Sequence, residues 1–179
     1  MTIIPRVFFL IFSLFLLFYL ILPAPDFPEP PLGALISKEP GDTETPLRRA
    51  YFTDLGREEV LAHYQSQFSN SPLFGLPLLT YRLNYPPEEA QSLVRDQTRS
   101  SFLEEIVHPL RESIYVNGFE PKFDNEAIRV EGRRWRQKVT VKYIPSTPIL
   151  RIVFGAVALV LTYVLGKETW QVLSTFKRR

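Results

Sequence analysis

AIRVEGRRWRQKVTVKY, residues Ala127 to Tyr143, carries the alternation of a β-sheet. Val139, Val141 and Tyr143 fall on one side, and Lys138, Thr140 and Lys142 on the other. That is the two-residue period of a half-buried strand. Glu131-Gly132-Arg133-Arg134 sits between Ala127–Val130 and Trp135–Tyr143, which predicts a hairpin.

Upstream of the hairpin the same kind of reading continues. Arg48 to Thr53, RRAYFT, is a short β-like run, and Asp54-Leu55-Gly56 a turn. Gly56 can cap a helix, with Glu58 and Glu59 in its positively polarised first turn. Val60, Leu61, Tyr64 and Phe68 then share one face, so REEVLAHYQSQF reads as an amphipathic helix lying on a sheet. Leu76 to Tyr85, LPLLTYRLNY, predicts a half-buried strand with Leu79, Tyr81, Leu83 and Tyr85 inward. Pro86-Pro87-Glu88-Glu89 opens a second helix, with a thin apolar face of Ala90, Leu93, Val94 and Gln97.

Residues 100–119 read ambiguously. Phe102 to Val107 fits a strand or a continued helix that Pro109 stops. Glu112 to Val116 fits a strand, closed by an Asn117-Gly118 turn. The resulting order, β-α-β-α-β-β-β over residues 48–145, predicts a two-layer α+β domain. Its helices lie on one face of a mostly antiparallel sheet, with a ferredoxin-like arrangement as the first expectation.

Apolar sequence brackets this domain. Val7 to Leu22 is apolar apart from Ser13 and Tyr19, and with Ile3, Ile4 and Pro5 approaches the length of a membrane span. A secretory signal competes with this reading. However, the exit Leu22-Pro23-Ala24-Pro25 is a poor cleavage site, so residues 1–23 read as an uncleaved anchor. ILRIVFGAVALVLTYVLG predicts a second span over 148–166. Arg151 there is expected to snorkel, and Gly155, Ala156 and Ala158 form a small-residue patch. Residues 24–47 hold Pro23's successors Pro25, Pro28, Pro30 and Pro31 and the acids Glu39, Asp42 and Glu44. They read as a semi-rigid proline-rich stalk. Residues 167–179 read as a short basic tail, with Trp170, Leu173 and Phe176 on one stripe.

The charge distribution orients the chain. Formal net charge is +2. Residues 26–147 carry a net −3 and the remaining ends +5. Arg6 precedes the first apolar segment, while Lys167, Lys177, Arg178 and Arg179 follow the second. Both ends therefore read as cytoplasmic, with the domain extracytoplasmic and the chain a two-span protein of the cell membrane. A nucleic-acid binder would concentrate positive charge on the domain, so no nucleic-acid partner is expected.

Few residues suggest chemistry. There is no cysteine, which excludes disulfides, thiolate metal sites and a cysteine nucleophile. No phosphate-binding loop, dinucleotide fingerprint or nucleophile elbow occurs, and neither cofactor, metal site nor catalytic residue is expected. His63 lacks a metal-binding partner four residues on, where Gln67 stands. His108 with Glu104 and Glu105 is the one grouping that would suit acid–base work if a cavity gathered it. The strongest surface feature is basic: Arg133, Arg134, Trp135, Arg136, Lys138 and Lys142, read as a contact for lipid head groups or an anionic partner. The chain is thus expected to be a membrane-anchored binding or interaction module, accessory or sensor-like, whose partners are membrane lipid or another membrane or envelope protein. The alternative is a membrane-tethered hydrolase acting on lipid or envelope polymer.

Overall fold

The computed structural model describes residues 3–86, 88–90 and 100–176. The chain divides into two compact units, one of Ala24–Pro145 and the other of the two terminal segments.

The central unit is built on a six-stranded sheet. Its strands are β1 (Leu35–Ile36), β2 (Arg48–Thr53), β3 (Tyr81–Tyr85), β4 (Phe102–Val107), β5 (Ser113–Phe119) and β8 (Gln137–Ile144). A separate ribbon pairs β6 (Ile128–Val130) with β7 (Arg133–Trp135). The sheet order is β1-β2-β8-β5-β4-β3, and all five pairings are antiparallel. The α+β class holds, but the ferredoxin-like expectation does not: that arrangement needs a split βαβ unit with a parallel pair. Here β3, β4 and β5 form a meander, and β8 closes the sheet between β5 and β2.

Helix α2 (Arg57–Phe68) lies on one face. Gly56 precedes it in extended conformation, and its amide donates to Glu59 Oε2 at 2.6 Å, satisfying an otherwise unpaired group at the helix start. The predicted stripe Val60, Leu61, Tyr64 and Phe68 is fully buried, against Tyr51, Ile106, Ile114, Val116, Val139 and Val141. Residues 88–90 open a helical turn, and Ala90 packs with Leu103, Tyr85 and Tyr115 on the opposite face of the sheet. Both faces are therefore used, not one. The rest of the second predicted helix, with Leu93, Val94 and Gln97, lies outside the described residues.

Three local expectations change, and one ambiguity resolves. The hairpin turns on Glu131 and Gly132 alone, at φ 54° and 75°, the two-residue loop whose twist matches its strands. β6 therefore pairs only with β7, and the chain then switches at Arg136 into the main sheet. The Phe102–Val107 segment is a strand. Asn117-Gly118 is not a turn but mid-strand: a Cβ at 118 would collide with the Phe102 ring and with Gln137 Oε1. Glycine is there for close approach. Finally, β3 begins only at Tyr81, and Leu79, Tyr81 and Leu83 are exposed, because β3 is an edge strand.

The proline-rich segment is not a free stalk. It belongs to the central unit. Pro25, Pro28 and Pro31 are buried at intervals of three, the period of a polyproline helix with one face docked. The Arg49 guanidinium lies 4.8 Å from the Phe27 ring centroid. Gln67 Oε1 accepts from the Glu29 amide at 2.8 Å, and His63 Nε2 lies 2.9 Å from the Glu29 carbonyl oxygen. β1 then pairs with β2.

In the terminal unit, α1 (Ile3–Ile21) packs on α3 (Pro148–Phe176). Among the described residues one helix, α3, is long and apolar enough to cross a membrane. The apolar part of α1, Pro5–Ile21, is shorter; at 1.5 Å per residue it reaches about 25 Å, under the ~30 Å of a hydrocarbon core. The expected two spans thus reduce to one candidate. α3 also runs unbroken past residue 166. Leu20 packs into the small-residue patch, where a Cβ at Gly155 would collide with it. Arg151 is buried within this unit, and its Nη2 donates to the Leu22 carbonyl at 3.4 Å.

Candidate functional site

The basic strip is held in place by β7, the switch residue Arg136 and the start of β8. Trp135 is buried, and the Arg133 guanidinium stacks 4.2 Å from its ring centroid. Each neighbouring cation has an acid. Arg133 pairs with Asp54, Arg134 with Asp124 at 2.9 Å, and Arg136 with Glu120 at 2.8 Å. Lys138 Nζ lies 2.7 Å from both Glu39 and Asp42. Asp42 is itself buried and accepts from Ser37 Oγ at 2.6 Å. Burial pulls the Lys138 pKa down, and the two carboxylates together raise it above the ordinary lysine value. The shallow cavity here, about 400 Å³, is lined by Arg134, Trp135 and Arg136 but also by Asp54 and Glu120. Its charges balance. Lys142 lies elsewhere, on the sheet face away from α2.

The acid–histidine grouping does not converge. Glu104 points under α2, fully desolvated, and pairs with Arg57 at the start of that helix. Glu105 lies on the other face, where the Tyr85 hydroxyl donates to it. His108 is buried and stacked on Phe68, with ring centroids 4.1 Å apart. Its Nε2 lies 2.7 Å from the Phe68 carbonyl oxygen and its Nδ1 3.2 Å from that of Leu79. The ring bolts the end of α2 and the following loop to the β4–β5 turn. Beside it, Arg111 and Glu112 form a buried ion pair at 2.8 Å. Among the described residues, no group of three acid or histidine side chains could hold a metal ion.

A second recess lies on the sheet face opposite α2. Register places Arg48, Lys142 and Tyr115 side by side on β2, β8 and β5, and Ala50, Thr140 and Asn117 one step along. The small Ala50 keeps that second row low. Glu44 and Thr45, just before β2, complete a cavity of about 220 Å³ lined by Arg48, Tyr115, Asn117, Thr140 and Lys142.

Its walls are rich in donors. Asn117 is 2% exposed; its Oδ1 accepts from Ser100 Oγ at 2.6 Å, and its Nδ2 has no hydrogen-bond partner. Arg48 Nε is likewise buried without a partner, and the nearest acid, Glu44, stands 3.7 Å from Nη1. Burial and then Glu105 raise the Tyr115 pKa, so its hydroxyl keeps its proton. Two cations against one carboxylate leave the recess at a net +1. Buried donors without acceptors are costly unless something supplies them.

Of the residues read from sequence as anionic contacts, only Lys142 lies here. Arg48, Tyr115, Asn117 and Thr140 were not singled out. Their signal is the register of three strands, which adjacent residues in the chain do not reveal.

Comparison of the chain with protein-family models, curated proteins and solved structures found no match.

Proposed function

We propose that the chain is a membrane-anchored binding module whose sheet-face recess takes a carboxylate from a partner protein. α3 is its anchor, the domain lies outside the cytoplasmic membrane, and the C-terminal end lies inside. The observation that carries this reading is the cavity of about 220 Å³ lined by Arg48, Lys142, Tyr115 and Asn117, where two cations face the single carboxylate of Glu44. A monoanion neutralises the net +1 of the walls. Glu44 disfavours a dianion by like-charge repulsion. The hydrolase alternative called for Glu104, Glu105 and His108 around one cavity, and nothing on the recess supports it.

Heat unfolding of the full chain in detergent micelles tests the recess, because a ligand that binds only the folded state raises Tm. Acetate and a short glutamate peptide are expected to raise Tm, and acetamide to leave it unchanged. Arg48→Gln and Lys142→Gln are expected to remove the effect. Equal responses to acetate and acetamide refute anion binding; a larger response to phosphate refutes the carboxylate. For topology, protease added to spheroplasts is expected to digest the domain and spare a reporter fused to the C-terminus. A protected domain inverts the orientation.

A further inference from the structure

We infer that the loop of residues 70–77 and the turn of residues 108–111 form an apolar tip that dips into the bilayer surface. The inference rests on the reading of α3 as a membrane anchor.

Sequence and structure single out this tip. From Val60 to Tyr81 the chain has no Asp, Glu, Lys or Arg. The loop within that run, Pro72-Leu73-Phe74-Gly75-Leu76-Pro77, is apolar throughout, where surface loops are ordinarily polar. Phe74 is 89% exposed and Leu110 71% exposed, with Leu76 and Leu79 also out. Both leading residues are held in the left-handed region, Phe74 at φ 60° and Leu110 at φ 62°. That conformation is unfavourable for bulky side chains. In the 108–111 turn the Arg111 amide donates to the His108 carbonyl at 2.9 Å, Pro109 takes the second position, and Leu110 occupies the third, which favours glycine. Two large apolar side chains are thus displayed at strained positions, where a glycine would relieve both the exposure and the strain.

The two segments are one surface. His108 contacts the Phe68 and Leu79 carbonyls, and the Leu78 amide donates to the Ser69 carbonyl at 2.6 Å. The tip lies at the end of the sheet where Ser113 pairs with Ile144, the last residue of β8. Three residues, Pro145 to Thr147, join Ile144 to Pro148 of the apolar helix. A tether of that length extends at most about 14 Å. If α3 spans the bilayer, this end of the sheet cannot stray far from the lipid. A lipid surface is the occupant the chain itself brings there.

The absence of native cysteine makes single-site spin labels unambiguous. The full chain in phosphatidylcholine–phosphatidylglycerol nanodiscs would carry one label at a time, at Phe74→Cys, Leu110→Cys, Val160→Cys in α3, or Asp124→Cys as an aqueous reference. Accessibility to oxygen and to a water-soluble nickel chelate is then compared, and circular dichroism of each labelled chain checks the fold. The expected result is lipid-like accessibility at 160, an aqueous value at 124, and a shift toward lipid at both 74 and 110. Aqueous values at 74 and 110 with 160 still lipid-like overturn the inference and leave the anchor standing. An aqueous value at 160 overturns the anchor. Spin–spin broadening at 74 or 110 that grows with the ratio of protein to lipid places a second copy on the tip and overturns the inference too.

Discussion

Tyr64 shows how one buried group can govern alkaline stability. Its hydroxyl is fully buried and has no hydrogen-bond partner. Burial, reinforced by Tyr51, drives its pKa far above that of a free phenol. Tyr85 is raised by its hydrogen bond to Glu105 and then by burial, Tyr51 by burial against the opposing pull of Arg49, and Tyr115 by burial. A group whose folded pKa exceeds its unfolded one contributes fully below the unfolded value and loses that contribution as pH rises toward the folded one. Stability should therefore fall above about pH 10. Tyr64→Phe should leave neutral stability unchanged, or raise it by about 1 kcal/mol, by removing an unsatisfied hydroxyl. It should also soften the alkaline loss. Urea unfolding at neutral pH and at about pH 11 reads both effects. At Leu110, replacement by glycine should stabilise the fold by roughly 1 kcal/mol by relieving the left-handed backbone, a shift in the urea midpoint. These features escape the sequence because unpaired hydroxyls and positive φ depend on tertiary surroundings.

Between β4 and β5, Gly118 and the Phe102 ring occupy one space. Gly118→Ala should cost about 1–3 kcal/mol, seen as a lower urea midpoint with an unchanged slope. A slope that changed too would mean that the strand pair had come apart. The sequence suggested a turn there because Asn-Gly is the common hairpin signal, and nothing local reports a ring from another strand. β2 and α2, by contrast, were legible to the residue: the bounds of both match, and the predicted α2 stripe of Val60, Leu61, Tyr64 and Phe68 is the buried one. β3 was misread because its alternation is real but an edge strand has too few neighbours to bury it. The recess was illegible for a related reason: Arg48, Asn117, Thr140 and Lys142 are far apart in the chain and meet only through register. The basic run was plain to see, but its partners Asp54, Glu120, Asp124 and Glu39 were scattered, so its neutralisation was not.

At the scale of the molecule, the proline-rich segment behaves as a strap on the central unit. Phe27 packs on the core and carries Arg49 on its ring. Phe27→Ala should weaken this docking by about 1–3 kcal/mol. Limited proteolysis should then cut residues 24–33 faster than in the parent chain, while α2 and the sheet remain resistant. Equal cutting rates would show that the strap is held elsewhere. The prolines mark an extended segment in the sequence; only the structure reveals that Pro25, Pro28 and Pro31 give it a buried side. The sheet order has a consequence for synthesis. β2 has β8 as its long-range partner, yet residues 54–136, 83 of them, separate the end of one from the start of the other. At 5–20 residues per second the ribosome takes roughly 4 to 17 s to bridge that gap. Through that interval β2 has nothing to pair with but β1, and once β5 is made at Phe119 the meander of β3, β4 and β5 also waits with an open edge for β8. The nascent chain therefore depends on its last-made strand to shield its first, and is most exposed to misassociation before that strand arrives.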